Sequence, residues 1–266
     1  MIKDNQNTRG LRVYEEGPQY ELYKEMHENQ TYEWVGEKLE EYSFKNHRKT
    51  YTISYVLKKM DQFIDPSDPD VELPNSIHCY QTAERIRRIH PKNYTLQLCG
   101  LIHDLGKILF EFGEPSWAVV GDTYPLGCKI AENIVYRDTF ENCPDQKNEL
   151  FKSKYGIYEK NCGIGNLRMS FGHDEYLYRV LEANSSRHYL PEKYWNIIRF
   201  HSFYPWHTYN EYRYFMNEND EEMLNDIIDF NSYDLYSKED CTEITEEIND
   251  YYHCLLLQYF PNPLRW

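Results

Sequence analysis

One short run of the chain concentrates the residue types that could do chemistry: Leu98-Cys99-Gly100-Leu101-Ile102-His103-Asp104-Leu105-Gly106-Lys107-Ile108-Leu109. As a helix, its leucines and isoleucines leave almost no wet face, so the segment is expected to be a buried core helix. At about 100° per residue, His103, Asp104 and Lys107 fall at about 0°, 100° and 40°, one side of that helix. A buried imidazole, carboxylate and ammonium without partners would cost several kcal/mol. Adjacent His and Asp present a neutral nitrogen beside a carboxylate, and the carboxylate can bridge a second ion. The alternative is a core histidine next to an internal Asp–Lys pair. The apolar helix that also carries Gly106 and Lys107 favours metal.

Composition bounds what surrounds this run. The 266 residues carry a net charge of −15, and no cationic track is evident that could neutralise phosphates, so a nucleic-acid partner is not expected. No run of 18 apolar residues exists, so no membrane span is expected. The start, Met1-Ile2-Lys3-Asp4-Asn5-Gln6, lacks the apolar core of a signal peptide. Seven scattered cysteines with no C-x-x-C pair fit reduced thiols in a cytoplasmic protein.

The elements that must position the chemistry read as helices joined by short loops. Residues 1–18 form a polar, aperiodic arm expected to be loosely ordered. Residues 19–42 and about 51–63 have helical spacing of apolar residues, and Asp65-Pro66-Ser67-Asp68-Pro69-Asp70 then breaks the chain into an acidic turn. Asn75-Ser76 can cap a helix running to about Ile89, with His78 in its first turn. Trp117 to Asp122 reads as a short strand or extended loop, and a short helix is possible near Asp145–Phe151. A helix opens at His173-Asp174-Glu175, where acidic residues suit the helix dipole without any metal. Another starts at Leu190-Pro191-Glu192 and carries His201 to an end near Pro205. Residues 221–231 and 243–259 complete the set. With no repeat and no linker, the expected fold is all-α: a single catalytic domain over 19–266, with short extended segments and the arm 1–18.

Collected in order, His78, His103-Asp104 and Asp234 give the pattern H…HD…D, which resembles the HD-domain superfamily of metal-binding helical bundles. Longer stretches are more specific. Asp65 to Val71, Leu73-Pro74-Asn75-Ser76-Ile77-His78, Gly113 to Thr123, Gly172-His173-Asp174-Glu175-Tyr176 and Ile198 to His207 together are similar to the myo-inositol oxygenase family. The resemblance extends from about Arg12 to Trp266. Glu72 stands where that family usually has Asp, and residues 137–168 differ more.

The resemblance implies two irons per chain, mixed-valent Fe(II)/Fe(III) in the active form. Their ligands would be His78, His103, Asp104, His173, His201 and Asp234, with Asp104 as the bridge. It also implies substrate contacts at Arg12, Asp65, Ser67, Lys107, Gly121, Asp122, Ser202 and Lys238, with Lys107 and Asp104 at the catalytic centre. Imidazole and carboxylate donors without sulfur suit non-haem iron. The implied reaction is an oxygenase reaction, in which myo-inositol and O2 give D-glucuronate by four-electron ring cleavage. The working unit is expected to be a cytoplasmic monomer. The remaining histidines, His27, His47, His90, His188, His207 and His253, read as surface or packing residues. A metal-dependent HD phosphohydrolase is the alternative, and it would need several cations around the metals. Only Arg12, Lys107 and Lys238 are candidates.

Overall fold

The computed structural model describes residues 17–46, 49–67, 73–234 and 243–266. Arg12, Lys238 and Asp68–Glu72 of the acidic turn lie outside the described residues.

The architecture is all-α apart from one two-stranded ribbon. α1 (Pro18–Asn29) and α2 (Tyr32–Glu41) divide the single helix expected over 19–42. The break falls at Gln30-Thr31, where the Thr31 hydroxyl caps α2 by accepting from the Trp34 N–H. Gln30 turns inward: its side-chain amide donates to the carbonyls of Trp117 and Phe171 and accepts from the Phe171 N–H. α3 (Ile53–Lys59) is capped by Thr52 and ends in a tighter turn to Gln62.

The core pair is α4 (Asn75–Ile89) against α5 (Tyr94–Ile102). Leu98, Leu101, Ile102, Leu105 and Leu109 are wholly buried, each worth roughly 1.5–3 kcal/mol of burial. The expected continuous helix over this run is not continuous. α5 stops at Ile102, and the chain resumes as a 3₁₀ helix over Leu105–Phe112. Gly106 shows why. A Cβ there would lie 2.0 Å from the His173 carbonyl oxygen, so only glycine lets this segment touch the first residue of α6 (His173–Ala183). The break at His103-Asp104 is thus where two parts of the site meet.

Trp117–Asp122 is a 3₁₀ turn and loop, not a strand, and the short helix near 145 is a 3₁₀ turn, Pro144–Lys147. α7 (Glu192–Phe200) ends before His201, and the short α8 (Tyr204–His207) follows. α9 (Asp220–Asp234) delivers Asp234 at its last residue. α10 (Glu246–Tyr259) leads to the C-terminus, where β2 (Leu264–Arg265) pairs antiparallel with β1 (Thr50–Tyr51). Within the described residues no helix is long and apolar enough to cross a membrane, and the described cysteines are free thiols.

Candidate metal centre

His78 comes from the first turn of α4, His103 and Asp104 from the corner after α5, and Asp234 from the end of α9. Their donor atoms converge. His78 Nε2 lies 3.2 Å from His103 Nε2 and 3.0 Å from Asp234 Oδ1, and His103 Nε2 lies 3.2 Å from the same oxygen. Bonds of about 2.1 Å to one metal place ligand atoms at right angles about 3 Å apart, and these three atoms sit at that spacing.

A second group faces it from α6 and the end of α7. His173 Nε2 is 3.3 Å, and His201 Nε2 3.7 Å, from Asp104 Oδ1. Oδ2 of the same carboxylate lies 3.7 Å from His78 and 3.6 Å from His103. Asp104 therefore turns one oxygen to each group. The described residues include three metal-capable clusters, and all belong to this one assembly: His78/His103/Asp234, His103/Asp104/His201 and His173/Asp174/His201.

Backbone carbonyls fix the imidazoles. His103 Nδ1 donates to Gly100 O, His201 Nδ1 to Ile198 O and His173 Nδ1 to Val119 O, each at 2.8 Å. A proton on Nδ1 leaves the lone pair on Nε2, the tautomer and direction that a metal ligand needs.

Charge is arranged to match. Burial alone would raise the pKa of Asp104, but the Lys107 ammonium and the imidazoles hold it well below the usual range. Asp234 is likewise held low against burial, by His103 and His78. Burial would lower His201, yet Asp174 and Asp104 push it up to about 9. His78 is raised in the same way against burial, chiefly by Asp234. A buried nest of imidazoles and carboxylates is a site where bound cations can take the place of protons. The donors are nitrogen and oxygen. The neighbouring Cys79 thiol is pushed well up by burial and stays protonated.

Asp174 was not among the residues singled out by sequence, where helix-dipole chemistry accounted for it. It is fully buried. Its Oδ2 accepts from the Thr123 hydroxyl at 2.9 Å and the Ser202 N–H at 3.2 Å. Its Oδ1 has no hydrogen-bond partner although it lies 2.7 Å from His173 Nε2. A buried orphan oxygen aimed at a nitrogen lone pair fits a shared cation. The signal was present, since His173-Asp174 repeats the His-Asp dipeptide of His103-Asp104.

The substrate-side expectations divide. Lys107 is buried and donates to Asp65 Oδ2 at 2.7 Å, Asp104 Oδ2 at 2.8 Å and Asn75 Oδ1 at 3.0 Å. Asp65 Oδ1 accepts from the Ser67 N–H and hydroxyl, at 2.8 and 2.6 Å. The described start of the acidic turn, residues 65–67, is thus docked on Lys107 through Asp65. Gly121 has φ +99°, and a Cβ there would strike Met26 Sδ at 2.7 Å. Asp122 is buried and accepts from the Tyr204 hydroxyl at 2.5 Å; burial carries its pKa up to about 7 despite hydrogen bonds from Tyr204 and Tyr23. Ser202 joins the assembly through its N–H on Asp174. Asn75, Thr123 and Tyr204 touch these groups and carried no sequence signal of doing so.

The other described histidines sit mostly in packing roles. His27 stacks on Phe140, and His188 donates to Leu181 O. His207 Nε2 lies 3.0 Å from the His201 carbonyl oxygen, directly behind the site.

Comparison with known proteins agrees with this geometry. The family described as Myo-inositol oxygenase matches residues 18–266. The chain is 46% identical to "Inositol oxygenase" of Danio rerio over 93% of its own length and 88% of the relative's. It is 44% identical to the Dictyostelium discoideum protein of the same name, over 92% and 85%. For the Mus musculus protein the identity is 42%, over 96% and 90%.

Proposed function

Since this chain belongs to the myo-inositol oxygenase family, we propose that its buried His/Asp assembly holds two irons and converts myo-inositol and O2 to D-glucuronate, water and a proton. The enzyme is an oxygenase with a metal cofactor and a small-molecule substrate. One observation carries the reading of the site: Asp104 presents Oδ1 to His173 and His201, and Oδ2 to His78 and His103.

In this reading His78, His103 and Asp234 would hold the first iron and His173 and His201 the second, with Asp104 shared between them. The donor set fits, and so does the orphan Oδ1 of Asp174 beside the second group. When bound, the irons, mixed-valent in the active form, would supply oxygen activation and Lewis acidity toward the substrate diol.

The protein's own groups account for the rest. Lys107 is a fixed cation in a dry site, placed to stabilise negative charge developing on a substrate hydroxyl as it loses its proton. Its charge is already balanced by Asp65 and Asp104, which suits a neutral polyol and disfavours a phosphate ester, so the phosphohydrolase alternative is not supported. Asp122, ionising near neutrality, can accept from a substrate hydroxyl, and Gly121 brings the backbone close beside it. Ser67, Ser202, Arg12 and Lys238 are assigned to the substrate by resemblance. The working unit is read as a monomer in the cytoplasm, the setting that scattered cysteines without a C-x-x-C pair suit. Residues 19–266 are read as the catalytic domain and 1–18 as an arm.

The test is anaerobic loading with Fe(II), followed by a D-glucuronate assay on myo-inositol and on a phosphate ester. Turnover of inositol alone is expected. Phosphate release without glucuronate would reject the reading.

A further inference from the structure

Lys107 has three ammonium protons, and the structure gives it three acceptors: Asp65 Oδ2, Asp104 Oδ2 and Asn75 Oδ1. To reach a substrate hydroxyl it must give one up. Asp104 sits three residues away on the same turn. Asp65 is locked by both donors of Ser67 on its other oxygen. Both are charged, so each adds a direct Coulomb attraction to its hydrogen bond with the ammonium. Asn75 is the neutral acceptor.

Asn75 is also held in a way that serves this purpose. It is the first residue of α4 and buried, but its side chain does not cap the helix. Its backbone N–H donates to Phe63 O at 2.8 Å, tying the start of α4 to the segment that leads into Asp65. The side-chain NH2 faces the weak acceptor Cys79 Sγ at 3.7 Å. Flipping the amide would point that NH2 at the ammonium, so the carbonyl orientation is set by Lys107 itself.

We propose that Asn75 is the positioning residue for Lys107: it holds the third proton in line, and its hydrogen bond is the one a substrate hydroxyl replaces. No covalent step is involved; one neutral acceptor is exchanged for another. The inference rests on Lys107 being a substrate-contacting group.

The experiment compares Asn75→Asp and Asn75→Leu in the iron-loaded protein, following inositol binding through the iron spectrum, with iron content and kcat measured alongside. Asn75→Asp, nearly isosteric, gives Lys107 a third carboxylate to leave, and inositol affinity should fall about tenfold or more at unchanged iron content. Asn75→Leu removes the competing acceptor. Its affinity should rise several-fold while the melting temperature drops, because an ammonium proton is left unpaired when no substrate is bound. Should that variant not fold, Asn75→Ala removes the same acceptor with less bulk. Opposite signs are the signature, since a merely structural asparagine would weaken binding in both. Equal losses in both variants, with Lys107→Met also weakened, would overturn the role of Asn75. Unchanged binding in Lys107→Met would overturn the Lys107 reading, and this proposal with it.

Discussion

The two halves of the metal centre are built differently. His78 and Asp234 of the first half keep side-chain exposures of 28% and 15%, whereas His173, Asp174 and His201 of the second keep 7%, 1% and 4%. The first half rests on α4, α9 and the corner after α5. The second is pinned from outside its own helices: His173 by Val119 O, and Asp174 by Thr123 and Ser202. The first half also has three donors besides Asp104, while the second has two imidazoles and the orphan oxygen of Asp174. The enclosed half is therefore where water is most thoroughly excluded and electrostatic interactions are strongest.

The largest effect that would sharpen this contrast is expected at the shared residue. Asp104→Ala should lose both irons and essentially all turnover, since each half loses its oxygen and Lys107 loses a counter-charge; elemental analysis checks it. Retention of one tightly held iron would show that one half stands alone. Next is Lys107→Ala, which should keep both irons but lose on the order of 10²-fold in kcat, as when one preorganised stabilising donor is removed. Near-normal turnover would remove Lys107 from the chemistry.

A smaller effect is expected at the docked turn. Asp65→Asn and Ser67→Ala should each weaken inositol binding by about 1–3 kcal/mol, the cost of leaving a buried group unpaired, with iron content unchanged. Titration of inositol into the loaded variants measures this, and unchanged affinity in both would make the turn a solvated loop.

The smallest concerns pH. In metal-free protein His201 ionises at about 9, above the ordinary 6.5 for histidine. Its stabilising contribution is complete below about pH 6.5 and lost as pH rises through about 9. Asp122, raised to about 7, has the same sign at lower pH, complete below its ordinary 3.8 and lost as pH rises through about 7. Asp104 and Asp234, held low, act oppositely: their contribution is present above the ordinary carboxylate range and lost only in acid. The metal-free chain should therefore lose stability from about pH 6 to pH 9, on the order of 1–3 kcal/mol. His201→Gln should flatten the upper part of that slope, as should metal loading, which takes up the His201 lone pair. Denaturation midpoints across that range decide it; a slope unchanged by His201→Gln would contradict the coupling of His201 to Asp174 and Asp104.

Much of this was legible in the sequence because burial and donor type are local properties. The apolar run around His103-Asp104 announced that polar groups were being placed in a core, and periodicity located α4, α6, α7, α9 and α10 to within a few residues. What periodicity could not convey was where helices stop for tertiary reasons. The break after Ile102 depends on Gly106 meeting the His173 backbone, a contact between segments almost seventy residues apart. Asp174 was hidden because helix-dipole chemistry already accounted for an acidic first turn. Asn75 was hidden because asparagine at a helix start reads as a cap. Both local explanations were sufficient, and the tertiary contacts overrode them.

The central claim is that Asp104 joins two metal sites in one assembly. The most direct test is iron stoichiometry with electron paramagnetic resonance on protein loaded anaerobically with Fe(II) and partly oxidised. Two irons per chain and the signal of a coupled mixed-valent pair are expected, lost together in Asp104→Ala. A single tightly bound ion such as zinc, with no coupled signal and no activity gained from iron, would contradict it.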